Sequence, residues 1–306
     1  MDRLPRSVSA VMTSFNKKED VRKNLEALFS QSEPFAEVIV VDNRSSDGTI
    51  EMVRSEFPAA RLIVMPHSGY GACETFNIGF ATARGAYVAI LDDDVVLPSD
   101  WNARMLDKFA SEPETTAFIS SKVVEPGMPE WYLEDERVNA ERYMSTFRGC
   151  ATMARRDVLE AAGYYDERFF IYGNERDLAC RVLNLGYRIL QYPEVEVRHG
   201  TPFGMKGGAR SLFYHVRNLW LYLFKNVAWS DVVGLFWHQF LVAAKLRKKA
   251  VTSDAVGTIG VATHIRETPL GPWICVKATA NAFLNLPYCL ARRKVCRAPD
   301  FRLPIQ

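Results

Sequence analysis

The sequence has no C-x-x-C pair among its six cysteines, Cys73, Cys150, Cys180, Cys275, Cys289 and Cys296. Structural zinc centres draw on closely spaced thiolates, so this spacing argues against one. Six cysteines in 306 residues are also too sparse for a disulfide framework. There is little net charge, formally +2, which gives nucleic acid no general electrostatic hold. Internal repeats and low-complexity tracts are missing. The opening residues, MDRLPRSVSAVMTSF, carry no long apolar stretch and no small-residue cleavage signal. No secretory leader is therefore expected, and the expected compartment is the reducing cytoplasm. The aromatic run at 211–244 is interrupted by Lys225, Asp231 and His238, and it falls short of the roughly 20 clean apolar residues of a membrane span.

What is present is an ordinary globular composition, 48% hydrophobic and 24% charged, enough for one large domain with an appendage. Its charge is uneven. After Ala244 eleven basic residues face three acidic ones, leaving the tail at about +8 and the rest at about −6.

Apolar strands are expected at 8–13, 37–41, 61–65 and 86–91, with helices near 20–30, after Asp47 and near 73–83. Strand and helix alternate through about 100 residues, which predicts a mostly parallel sheet with helices on both faces. Ligands of such sheets bind beyond the carboxyl ends of the strands. Asp42 and the run Asp92-Asp93-Asp94 both stand at expected strand ends, so they are expected at one rim. Three adjacent carboxylates repel one another unless a cation neutralises them, and Mg²⁺ or Mn²⁺ prefers such oxygen ligands. The alternative is a solvated turn capping the next helix near Ser99-Asp100.

Several stretches together resemble family 2 glycosyltransferases of the GT-A fold, rhamnosyltransferase-like and inverting. VSAVMTSFNKKEDVRKNLEALFSQ is similar to the family's opening strand, turn and helix, EVIVVDNRSSDGT to its "V-D-N-x-S-x-D-G-T" signature, and AYVAILDDD to the strand bearing its D-x-D motif. The resemblance continues through FRGCATMARRDVLEAAGYYDERFFIYGNERDLACRVLNLGYRI and covers about the first 225 residues. It implies an α/β GT-A domain over 1–210, with a nucleotide-sugar half to about 100 and an acceptor half after it, then a mainly helical extension over 211–306.

Carried over by motif, the resemblance implies that Thr13 and Asn16 line a base and ribose pocket, with Gly69, Asn77, Asp92 and Asp93 also on the donor side. Asp42 accepts a hydrogen bond from the base or ribose, or else forms its own turn. Asp92 and Asp94 hold Mn²⁺ or Mg²⁺ on the diphosphate. Asp47 reads best as a helix cap. In Tyr172-Gly173-Asn174-Glu175-Arg176-Asp177-Leu178, Asn174-Glu175 stands where the family's "E-D-x-D-L" run has Glu-Asp. An inverting transfer needs a carboxylate to take the acceptor proton, and Glu175 is placed before Asp177 for it. Asp177 has a structural alternative, as partner of Arg181. His199, after an expected strand, is either a further metal ligand or a structural imidazole. The glycine-rich stretch 67–79 departs from the family loop: His67 replaces asparagine, and Asn77 lies about two residues farther on.

The resemblance implies a nucleotide-diphosphate sugar donor, a glycan or lipid-linked acceptor, and a role in polysaccharide or glycolipid synthesis. Two other readings stay open: a sugar nucleotidyltransferase, against which VMTSFNKKED lacks a glycine-rich phosphate loop, and an inactive GT-A-like binding protein, which Asn174 favours. The tail has two aromatic segments, each leading into a basic cluster, Lys245 to Lys249 and Arg292-Arg293-Lys294. They are expected either to lie on the inner face of the cell membrane or to form core helices with solvated ends.

Overall fold

The computed structural model describes residues 4–204, 207–235 and 261–303. The chain begins with β1 (Val8–Ser14), α1 (Lys18–Phe29), β2 (Glu37–Asp42), α2 (Thr49–Glu56), β3 (Arg61–Val64), α3 (Ala72–Thr82) and β4 (Tyr87–Leu91). These four strands run parallel in the order β3-β2-β1-β4. The apolar runs are continuous because both faces are covered. In β2, Ile39 and Val41 enter the core under α3, while Val38 and Val40 enter the core under α1 and α2. Helix α3 lies so close to β1 that a Cβ on Gly79 would stand 2.4 Å from a Val11 methyl.

The second half changes direction. β5 (Val95–Val96), α4 (Trp101–Ser111), β6 (Thr116–Val124), α5 (Glu130–Leu133), α6 (Glu136–Asn139), β7 (Arg142–Tyr143) and β8 (Ala151–Arg155) come first. Then follow α7 (Arg156–Ala161), a 3-10 turn at Glu167–Phe169, α8 (Asn174–Asn184) and β9 (Arg188–His199). β8 enters antiparallel between β4 and β6. β9 runs parallel to β6, shifts register after Ser121, and then pairs antiparallel with β5. That last pairing sets Val95 opposite His199.

Helix α9 (Ala209–Asn226) and the helices at Val261–Glu267, Gly271–Leu284 and Leu286–Ala291 form the tail. The composition changes near residue 210, but the packing runs across it. Leu221, Phe224, Ala282 and Cys289 share one hydrophobic cluster with Val11, Phe118 and Leu178. Asp177 ties the two parts together. It is fully buried, pairs with Arg181 at 3.1 Å and Lys225 at 2.7 Å, and accepts a hydrogen bond from Asn226 at 2.9 Å. Lys225 also meets Asp166 at 2.5 Å, and the Tyr288 hydroxyl donates to Asp166 at 2.8 Å.

Candidate active site at the strand ends

Parallel registry sets Ser14 beside Asp42 and Met12 beside Leu91, so the ends of β1, β2 and β4 open on one rim. The turns there hold one another. Asn16, with φ +52°, donates its amide N–H to Ser45 Oγ at 2.9 Å and accepts from Ser46 N at 2.8 Å. The Asp47 carboxylate accepts the amides of Lys18 at 2.9 Å and Thr49 at 3.1 Å, capping the starts of α1 and α2. Asp42 is 0% exposed; its carboxylate accepts Ser45 N, Ser45 Oγ and Ser14 Oγ, each at 2.7 Å. In this conformation Asp42 forms the turn and offers no surface to a base or ribose. Asn43 beside it donates to Tyr70 O at 3.0 Å and leaves its Oδ1 buried without a partner. Thr13 is half-buried at the end of β1.

The three aspartates lie in different surroundings. Asp92 is the open one, with its side chain 41% exposed. Burial pushes the Asp93 carboxyl up to about 6 against the pull of Lys17, which lies 3.1 Å away. Asp94 is buried, yet His199 and Lys17 outweigh that burial and hold its carboxyl well below the ordinary value. Lys17 Nζ and Thr201 Oγ1 donate to Asp94 Oδ2 at 2.7 and 2.8 Å. Asp94 Oδ1 lies 3.0 Å from His199 Nε2, without hydrogen-bond alignment, and is left with no donor. The same Nε2 is 3.5 Å from Asp92 Oδ2, while Nδ1 meets Glu125 Oε1 at 2.9 Å.

This set fits a divalent ion. His199 Nε2 lies 3.5 Å from Asp92 Oδ2 and 3.0 Å from Asp94 Oδ1, and Glu125 behind the ring fixes the edge it presents, although Asp94 stands outside the tight grouping that Asp92 and His199 make with Cys150. Cys150 also lies within ligand reach of Asp92 and His199. Burial pushes its thiol up to about 12, and a soft sulfur suits Mn²⁺ or Mg²⁺ less well than oxygen does. Mn²⁺ accepts this oxygen and nitrogen set more readily than Mg²⁺ does.

Glu175 stands in the first turn of α8. A Cβ on Gly149 would lie 2.6 Å from Glu175 Oε1, so glycine there makes room for the carboxylate. Burial pushes the Glu175 carboxyl up to about 7, and the charge of Asp92 adds to the rise. The loop before it holds Phe170 at φ +65° and Tyr172 at φ +68°. Asn218 of α9 braces that loop, its Nδ2 lying 2.9, 2.7 and 2.8 Å from the carbonyls of Phe169, Ile171 and Tyr172.

Two expectations need correction. Asp177 is sealed in the ion cluster between α8 and α9 and touches no open surface, so it has no access to a substrate proton. Asn77 spends its amide on the backbone of Tyr165 at 2.9 Å, clasping the turn beside α3. Gly69 lies in an exposed loop, where its N–H donates to His67 Nδ1 at 3.2 Å. The expectations also passed over Lys17, Glu125, Thr201, Gly149 and Asn218. Glu125 alone carried a signal, as a carboxylate directly after the apolar end of β6.

Comparison with known proteins bears on the family and the fold. The family model "Glycosyl transferase family 2" matches residues 9–172, just over half of the sequence. The chain belongs to glycosyl transferase family 2, and its architecture is the GT-A fold. It is 22% identical over 237 residues to the N-acetylglucosaminyl-diphospho-decaprenol L-rhamnosyltransferase of Mycobacterium tuberculosis, covering 62% of this chain and 74% of that one. It is 31% identical over 110 residues to the succinoglycan biosynthesis protein ExoO of Rhizobium meliloti, covering 35% of this chain and 31% of that one. The chain spans about a third of the length of several curated relatives it matches. Among solved structures, the mannosyltransferase PcManGT of Pyrobaculum calidifontis, in complex with GDP-Man and Mn²⁺, superposes with a TM-score of 0.57 at 20% identity. That match covers 95% of this chain and 73% of that one. GalNAc-T7, solved with UDP, GalNAc and Mn²⁺, gives 0.55 at 15% identity over 70% of this chain and 47% of that one.

Proposed function

We propose that the protein transfers a sugar, with inversion, from a nucleotide-diphosphate sugar to an acceptor hydroxyl. The observation that carries this reading is geometric: Asp92, Asp94 and His199 meet at the strand-end rim, and Glu175 stands in the first turn of α8 with its carboxylate against Gly149. Asp92, Asp94 and His199 would hold Mn²⁺ or Mg²⁺, which when bound supplies charge neutralisation for the departing diphosphate. Ionised Glu175 accepts the proton of the acceptor hydroxyl as its oxygen attacks the anomeric carbon. The bond from that carbon to the diphosphate oxygen breaks on the opposite face, and the nucleoside diphosphate leaves. In this reading Thr13 and Asn16 border the nucleotide pocket. The test is a thermal-shift screen of nucleotide sugars with and without Mn²⁺. A bound donor at 100 times its Kd should add about 2.7 kcal/mol of stability, and only with the metal. A panel that gives no metal-dependent shift would sink the reading.

The acceptor we propose is a glycan, most simply a lipid-linked one, as the name of the mycobacterial relative indicates for that protein. Among the described residues no helix is long and apolar enough to cross a membrane. The Gly271–Leu284 helix nevertheless exposes Trp273 at 54%, Val276 at 56% and Leu284 at 81%, with Lys277 beside Trp273 and Arg292 nearby in sequence. That face suits peripheral contact with an anionic membrane. The basic cluster Lys245, Arg247, Lys248 and Lys249 lies outside the described residues. The protein is expected to sediment with anionic vesicles at low salt and to be released at high salt. Absence from anionic and neutral pellets alike would leave a soluble acceptor or an oligomer interface as the use of this face.

A further inference from the structure

We propose that Lys17 is the second cation of the donor site, holding Asp93 and Asp94 while no donor is bound and passing to the donor's diphosphate when metal and nucleotide arrive. The inference rests on the sugar-transfer reading above and concerns how the two ligands are coupled.

Lys17 sits where β1 ends and α1 begins, at the same rim as the carboxylates. Its Nζ lies 2.7 Å from Asp94 Oδ2 and 3.1 Å from Asp93 Oδ1. Its side chain keeps 32% exposure, so the ammonium has a path away from these partners. The two oxygens of Asp94 are divided. Oδ2 is taken by Lys17 and Thr201, whereas Oδ1 has no donor and lies next to His199. A divalent ion on Oδ1 and the ammonium on Oδ2 would be like charges on one carboxylate, and like charges at that separation repel. Without a nucleotide, Lys17 therefore opposes the metal. A diphosphate changes the sign, because its own negative charge gives the ammonium a charge-assisted partner beside the ion. Metal and nucleotide then favour each other through one side chain, a coupling that is reciprocal by linkage.

A lysine that merely props up the carboxylates behaves differently. Its removal would weaken metal and nucleotide together. The two roles separate in a titration of the full chain by calorimetry, first with Mn²⁺ alone and then with UDP and GDP in saturating Mn²⁺. Lys17→Met is expected to bind free Mn²⁺ about 3- to 30-fold more tightly and the preferred diphosphate about 10- to 100-fold more weakly than the wild type. Lys17→Arg keeps the charge and is expected to restore diphosphate binding to within a few-fold. Melting curves check that both variants fold. Unchanged or weaker Mn²⁺ binding in Lys17→Met, or unchanged diphosphate binding, overturns the role of Lys17 and leaves the transfer reading standing. A wild type that binds neither diphosphate in Mn²⁺ removes both.

Discussion

Glu175→Gln is expected to lower turnover by about 10²- to 10⁴-fold, with donor affinity little changed. Glutamine keeps the shape that Gly149 accommodates but cannot take a proton. The pH profile carries the sharper signature. A base must be ionised to act, and the Glu175 carboxyl titrates at about 7. Wild-type turnover should therefore rise as pH passes through about 7 and level above it, while the residual rate of the variant shows no such step. Stability should move the other way. The folded-state value lies above the ordinary 4.5, so the protonated form favours folding. That contribution is complete below about 4.5 and is lost as pH rises through about 7. Glutamine resembles the protonated form at every pH. The variant should thus melt above the wild type at pH 8, and the two should converge near pH 4. Near-normal turnover would move the base elsewhere, and Asp177 is not the next candidate, because its buried bonds to Lys225 and Arg181 leave it no substrate to meet.

Asp94→Ala is expected to weaken Mn²⁺-dependent nucleotide binding by at least about 100-fold, a loss at the upper end of those seen for outer-shell partners of metal sites. In the proposed site Asp94 supplies the oxygen 3.0 Å from His199 Nε2, so alanine would remove a ligand and leave Asp92 and the imidazole. The fold should survive. Lys17 retains Asp93, and His199 retains Glu125 and Asp92. Asp94→Asn supplies a milder companion, with one carbonyl oxygen and no charge. Calorimetric titration of a nucleoside diphosphate with and without Mn²⁺, together with a melting curve, reads both effects. Unaltered Mn²⁺ dependence in a folded variant would mean that the metal assignment is wrong.

The nucleotide half was legible because its signals are local. Apolar runs such as 37–41 are buried on both faces, and each ends at a rim residue, so the strand-end rule located Asp42 and Asp92 to Asp94 together. What escaped the sequence is non-local or depends on burial. Lys17 meets Asp94 across 77 residues, and Glu125 meets His199 across 74. His199 was named from the sequence, but the pairing of β9 with β5 that brings it to the rim was not legible there. Asp42 and Asp177 have suitable chemistry at familiar positions, but complete burial gives the first to a turn and the second to an ion cluster. No spacing rule foresees that Asn218, in the aromatic tail, braces the loop leading to Glu175.

The contacts of Asp177 and Asn218 make the tail a poor candidate for modular exchange. A chimaera that joined this sheet to the helices of a relative would have to bring its own counterparts of Lys225, Tyr288 and Asn218. Without the lysine, Asp166 would lose its 2.5 Å partner and Asp177 would keep only Arg181 as a cation. Breaking a buried pair from one side costs about 3–5 kcal/mol, a large share of the stability of an ordinary domain. Without the asparagine, the left-handed turn before Glu175 would lose its brace. A chimaera joined where the composition shifts is therefore expected to fold poorly unless all three residues come with it.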